Sequence, residues 1–239
     1  MSTYSLAPLI LIFPVVGLLF NALVGRRFVQ PWRYGTDPVE SGENDPTGES
    51  WSGWIASAMA LASFFVAVAL FFGLVSNGFE GAVVNLFTWI NIPAAGLDIP
   101  WAIQVDTLSV TMMLVVAGVG SLIHIYAIGY MHGDPDFSRF FTYMNLFLFF
   151  MLILITGNNY LMLFVGWEGV GLCSFLLIGF WFDRVDEDQQ PMNANAGRKA
   201  FVANRVGDAA MIVAVILLFW AFASLDFNTI FHSAEELFA

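Results

Sequence analysis

The chain has one cysteine, three histidines and eight lysines and arginines in 239 residues, and each shortage excludes something. The lone Cys173, set in an apolar run, leaves no partner for an intramolecular disulfide and no set of thiolates for a metal or iron–sulfur cluster. The few basic residues form no patch of the kind that holds nucleic acid. Charged residues of both signs make up only 11%, where soluble domains carry about a quarter. The formal net charge of −11 says little about partners, because the acids gather in loops such as Asp37 to Glu49 and Asp183 to Asp188. No glycine-rich phosphate loop follows a strand, no metal-ligand spacing occurs and no nucleophile stands beside its base, so redox or hydrolytic chemistry lies elsewhere.

What is abundant is apolar surface: 59% of the residues are hydrophobic and 16% aromatic. A helix needs about 20 mostly apolar residues to cross a bilayer. On that basis spans fall near Ser5 to Val24, Trp54 to Val75, Thr107 to Ile128, Phe140 to Ile155, Tyr160 to Phe182 and Lys199 to Ala223. The expected fold is an all-α membrane protein, a single transmembrane domain of about six helices. Between spans, Gln30 to Gly53 is rich in Gly, Pro, Ser and acids and reads as a flexible acidic loop. Ser76 to Val105 reads as an outer loop folded into a short β-hairpin, with runs Val83 to Ile90 and Ile99 to Val105 around Pro93, Gly96 and Asp98.

The basic residues predict orientation. Arg26, Arg27, Arg33, Arg139, Arg184, Arg198 and Lys199 fall on one side of the six-span arrangement, which the positive-inside rule makes cytoplasmic. Both termini are then expected outside. The arginines follow the first apolar run instead of preceding it, an order that argues against a cleaved signal peptide. Trp32, Trp51, Trp54, Trp89, Trp101 and Trp181 mostly mark span ends, as interfacial anchors do.

Ionisable residues inside spans are the functional candidates, because a buried charge costs several kcal/mol unless it is paired or hydrated. Glu168 stands near the middle of the fifth span, among Gly166, Gly169 and Gly171. It reads as a proton or ion carrier with room beside it; the plainer reading is a structural hydrogen-bond partner among glycines that let helices approach. The sixth span carries Asn204, Arg205 and Asp208, the last two spaced to pair on one helix face. Arg205 and Asp208 read as a self-neutralising ion pair, or Asp208, at a depth similar to that of Glu168, reads as a second carboxylate that shares or passes a proton with it if the two helices touch. His124, in the third span among Tyr126, Tyr130 and His132, is either a titratable shuttle or a polar residue in an interfacial aromatic belt. Asp106, ahead of Thr107 and Ser109, reads as a helix N-cap.

The segments DTLSVTMMLVVAGVGSLIHIYAIGYM, SRFFTYMNLFLF, GWEGVGLCSFLLIGFWF and KAFVANRVGDAAMI resemble, in that order, the antiporter-like subunit L (chain 5) of proton-pumping NADH:quinone oxidoreductase, respiratory complex I. Mrp-type cation/proton antiporters are similar. The resemblance runs from about Asp106 to Phe219 and implies the N-terminal portion of an antiporter-like helix bundle. It implies that Glu168 couples to a lysine on a seventh helix, with Arg205 and Asp208 supporting that coupling. That seventh-helix lysine has no counterpart here. The resemblance also implies other membrane subunits of complex I as partners, above all an adjacent antiporter-like subunit, and a bacterial inner membrane as location. Flavin and iron–sulfur clusters are then expected in other subunits and no cofactor in this chain. Two alternatives stay open: an Mrp-type sodium/proton antiporter subunit, and a non-conducting assembly scaffold.

Overall fold

The computed structural model describes residues 3–29, 46–95, 97–185 and 190–238. The acidic loop over 30–45 and the short stretch 186–189 lie outside the described residues. Among the described residues, six helices are long and apolar enough to cross a membrane. Between their terminal turns helices pair backbone N–H and C=O groups internally, which hydrocarbon demands.

The first span is α1 (Leu9–Leu19), which continues in wider, π-type turns over Phe20–Val29. The second, α2, covers Pro46–Ser76. The loop expected to run to Gly53 therefore ends earlier: Pro46 takes the first helical position, where its missing N–H costs nothing. Strands β1 (Ala82–Ile92) and β2 (Leu97–Val105) form the expected hairpin, antiparallel with two register irregularities. Phe87 stacks on Trp101, and Trp89 meets it edge-on.

Helix α3 (Thr107–Tyr130) opens on a capping box: the Ser109 N–H donates to Asp106 Oδ1 at 2.7 Å, and the Asp106 N–H donates to Ser109 Oγ at 2.9 Å. Helix α4 covers Phe137–Thr156, longer than the run Phe140 to Ile155, because Asp134 and the turn before it start the helix a turn sooner. Helix α5 (Tyr160–Ile178) begins at an Asn159 cap, whose Oδ1 accepts from the Met162 N–H at 2.8 Å, and stops at Gly179 rather than reaching Phe182. Helix α6 (Met192–Phe222) starts well before Lys199, and Ala223 ends it in the left-handed region at φ 53°. Helix α7 (Phe227–Phe238) had no counterpart in the expected spans; Asp226 Oδ1 accepts from the Thr229 N–H at 2.9 Å at its start.

Helices α1 to α4 form the packed core. Ile10, Leu70, Leu74, Met113 and Leu152 are essentially inaccessible there, as is Ile103 of β2, which joins the same cluster. Helix α5 lies against α4, and α6 lies against α5. The α4–α5 contact is close because of glycine: a Cβ on Gly166 would fall 2.5 Å from the Leu154 backbone, and one on Gly169 would fall 2.1 Å from the Phe150 ring.

The two ends of the bundle are held differently. At the hairpin end, Asn159 Nδ2 donates to Pro100 O (3.0 Å), the Tyr160 N–H to Leu225 O (3.0 Å) and the Phe227 N–H to Asn158 O (3.2 Å). At the other, basic end, Arg139 bonds Asp136 (2.9 Å) and the Phe180 carbonyl (2.9 Å), while Trp181 Nε1–H donates to Asp134 (2.8 Å).

Candidate functional site

Helices α5 and α6 bring Glu168, Arg205 and Asp208 together about halfway along both helices. Arg205 Nη1 lies 2.6 Å from Glu168 Oε1 and 2.9 Å from Oε2. Its distance to Asp208 Oδ2 is longer, 3.7 Å. The pairing expected within α6 is thus the looser of two contacts, and the carboxylate across the helix interface holds the guanidinium. Arg205 also lies over the Phe201 ring, 4.7 Å from its centroid, one turn earlier on the same helix.

Asp208 is 5% exposed at its side chain and would be poorly satisfied by Arg205 alone. Its closer bond comes from Trp167, whose Nε1–H donates to Asp208 Oδ1 at 2.9 Å. Sequence reasoning passed over Trp167. The available signal was its position: a tryptophan in mid-span cannot be an interfacial anchor, and an indole N–H away from water needs an acceptor. Because it directly precedes Glu168, the two side chains leave α5 in different directions, and together they reach both acidic ends of the cluster.

The three glycines divide their work. Gly166 and Gly169 face α4 and permit close packing, while Gly171 faces Asn204, whose Nδ2 would lie 3.4 Å from an added Cβ. The room expected beside Glu168 is therefore taken by α6. Electrostatically, two carboxylates share one guanidinium, so the ionised cluster is one positive charge short. Arg205 is half exposed in this chain and Glu168 a quarter exposed. In a bilayer such a flank must meet protein or water, not lipid tails.

His124 does not join this cluster. It is 1% exposed, inside the packed core, with its ring 6.3 Å from that of Phe141 on α4. The interfacial aromatic-belt reading is thereby corrected: Tyr126 and Tyr130 point outward from α3, and His124, on the opposite face, points in. Its Nδ1 lies 2.7 Å from the Gly120 carbonyl. Among the described residues no group of three or more His, Cys, Asp and Glu side chains converges as a metal site would.

A multi-pass helix bundle with a carboxylate–guanidinium–carboxylate cluster set between two spans defines a membrane protein built like an ion-transporting subunit. The chain belongs to the antiporter-like family of membrane subunits that includes complex I chain 5. Residues 89–141 match the family described as NADH-Ubiquinone oxidoreductase (complex I), chain 5 N-terminus, and residues 157–238 match NADH:quinone oxidoreductase/Mrp antiporter, TM; together they take in more than half of the chain. NADH-quinone oxidoreductase subunit L of Mycobacterium tuberculosis is 47% identical over 185 residues, covering 77% of this chain and 28% of the relative. NADH-ubiquinone oxidoreductase chain 5 of Allomyces macrogynus is 43% identical over 183 residues, covering 77% and 26%. This chain thus spans about a quarter of the length of these relatives.

Solved structures with the same fold include a chain of the membrane-bound sulfane sulfur reductase, an archaeal respiratory membrane complex. Its TM-score is 0.69 at 16% identity, covering 94% of this chain and 39% of that one. A chain of the Mrp complex from Dietzia sp. DQ12-45-1b gives 0.64 at 18% identity, covering 96% and 21%.

Proposed function

We propose that the chain is the N-terminal part of a proton-translocating membrane subunit of NADH:quinone oxidoreductase, acting beside another antiporter-like subunit while NADH oxidation and quinone reduction proceed elsewhere in the complex. Its setting is a bacterial inner membrane, with the basic end cytoplasmic and both termini outside. The observation that carries this reading is the unequal grip of one guanidinium on two carboxylates within the span region. When Arg205 lies on Glu168, that carboxylate is neutralised; when it swings toward Asp208, Glu168 is left as an uncompensated charge. An uncompensated carboxylate draws a proton or a protonated amine, and a neighbouring amine loses proton affinity when that charge is masked. Charge arriving from an adjacent subunit would bias the swing and so drive proton release.

The test is Glu168→Gln in the assembled complex, which keeps the volume and removes the charge. Proton uptake by inverted vesicles, normalised to electron transfer, should fall, and uptake at the wild-type ratio would overturn the assignment. Sodium-dependent transport would indicate antiport, and full pumping by the Gln variant would indicate a scaffold. Orientation is checked in a Cys173→Ser background: a cysteine at Gly81 should react with an impermeant thiol reagent only from outside, and labelling from the cytoplasm would invert the topology.

A further inference from the structure

Arg205 stands between two carboxylates and grips the one that needs it less. Glu168 is 26% exposed at its side chain and Asp208 only 5%. Yet Arg205 Nη1 lies 2.6 and 2.9 Å from the two Glu168 oxygens and 3.7 Å from Asp208 Oδ2. Desolvation favours the opposite choice, because the carboxylate further from water gains more from a counter-charge. Helix geometry favours it too. Asp208 stands three residues after Arg205 on the same helix, within reach by a change of rotamer, whereas Glu168 belongs to another helix. The observed pairing therefore has a cause outside the three ions.

That cause lies at the other oxygen of Asp208. Oδ1 accepts the Trp167 Nε1–H at 2.9 Å. An ionised carboxylate only accepts and an indole N–H only donates, so the bond forms in one sense. It supplies part of the compensation that Asp208 would otherwise draw from the guanidinium. Hydrogen bonds to an ionised group are roughly twice as strong as those between neutral groups. One such bond is enough to change an equilibrium about tenfold.

The position of the donor adds a second link. Trp167 directly precedes Glu168 on α5, so one helix carries both the acceptor that takes Arg205 and the donor that satisfies its rival. Both contacts cross the interface between α5 and α6 and answer to the same movement. Trp167 is 46% exposed within this chain, so packing holds its ring only in part, and the bond to Asp208 gives the indole its direction.

We propose that Trp167 is a positioning residue of the cluster: by donating to Asp208 Oδ1 it assigns Arg205 to Glu168 and sets the resting state from which the guanidinium moves. When the indole bond yields, Asp208 regains its pull and Arg205 passes to it. The proposal rests on the proton-translocating reading above and deepens it, naming the group that decides which carboxylate is neutralised at rest.

The experiment uses the assembled complex in two variants. One is Trp167→Phe; in the other, 3-benzothienylalanine replaces Trp167, so that a ring sulfur takes the place of the N–H at nearly the same volume. In a high-resolution map both should place Arg205 within hydrogen-bond length of Asp208 and release Glu168, a change of about tenfold in the ratio of the two pairings. Proton pumping per electron should fall by up to about tenfold, as the competent resting state loses population. The sulfur variant keeps the test decisive if the Phe variant fails to assemble, and it separates the N–H from the bulk of the ring. Arg205 still on Glu168 in the sulfur variant, or wild-type pumping by it, overturns the proposal. Adding Asp208→Asn to the sulfur variant removes the competing charge and should return Arg205 to Glu168; a guanidinium that stays away would show that Trp167 does not act through Asp208. Glu168→Gln, run in parallel, separates the two claims. Wild-type pumping there defeats the translocation reading, while the maps of the Trp167 variants still decide the choice of partner. Lost pumping there, with Arg205 unmoved in the sulfur variant, defeats the positioning role alone.

Discussion

Where α1 to α4 pack together the interior polar groups are neutral amides, hydroxyls and an imidazole; where α5 meets α6 they are ions. The first group is covered on all sides, with about a third of each span buried within this chain, whereas α6 has 11% buried and presents Val202, Val206, Val213, Ile216 and Trp220 outward. Neutral groups can be enclosed by a single bundle because each needs only one or two hydrogen bonds. An ionic cluster short of one positive charge cannot be completed that way, and it sits at the edge where another helix or a water path has access. The covered half is thus a platform, and on the proposed function the charged half is the working face mounted on it.

The comparison is broken most severely at the joint between platform and working face. Gly166→Leu places a side chain against the Leu154 backbone, which cannot move aside as a side-chain tip can. Overpacking of this kind should cost about 3 kcal/mol, seen as loss of the assembled complex on native gels. Normal assembly would mean that the α4–α5 contact is not as close as described.

Within the working face, double-mutant cycles on detergent-solubilised stability rank the bonds. The Arg205–Glu168 cycle, from Arg205→Gln and Glu168→Gln, should show coupling of about 2 kcal/mol, and the Arg205–Asp208 cycle less than about 1 kcal/mol. Trp167→Phe removes the nearer donor to buried Asp208 and should cost about 1–2 kcal/mol. Equal coupling in the two cycles, or a neutral Trp167→Phe, would return Arg205 and Asp208 to the simple pair that their spacing suggests.

On the platform, the smallest expected effect is at the α3 cap. Burial alone would raise the Asp106 pKa, but hydrogen bonds from the Ser109 N–H, Gln104, the Ser109 hydroxyl and the Leu108 N–H outweigh it and hold the carboxyl below its ordinary 3.8. A depressed folded-state value means that its stabilisation is complete above 3.8 and is lost as pH falls through the lower, folded value. Asp106→Ala should cost about 1 kcal/mol at neutral pH and flatten this acid limb in a thermal-unfolding series. An unchanged limb would deny Asp106 its part in it.

Span number, the hairpin, the Asp106 cap and the intramembrane residues Glu168, Arg205 and Asp208 were all legible in the sequence, because hydropathy, turn residues and charge in an apolar run are local signals. The partner of Arg205 was not. Spacing of three along a helix identifies a neighbour on the same helix, whereas Glu168 reaches it across an interface that Gly166 and Gly169 help to position from the far side. Trp167 was missed for the same reason, since its acceptor is 41 residues away. His124 stayed open between a titratable shuttle and an aromatic-belt residue because its sequence neighbours are tyrosines, but neighbours in a helix face different ways. The start of α6 was missed because Asn193, Asn195 and Arg198 break the apolar run without breaking the helix.

The ties among Pro100, Asn158, Asn159, Leu225 and Asp226 have a mechanical meaning. They pin the start of α5 and the end of α6 to the hairpin, so the pair is fastened at one end like a lever. Glu168 lies nine residues from Asn159, about 13 Å along the axis, and a tilt of roughly 5° about the pinned end shifts it by about 1 Å. The two carboxylate distances of Arg205, 2.6 and 3.7 Å, differ by about that much. A rocking motion too slight to disturb the helices would therefore be enough to exchange the partner of the guanidinium.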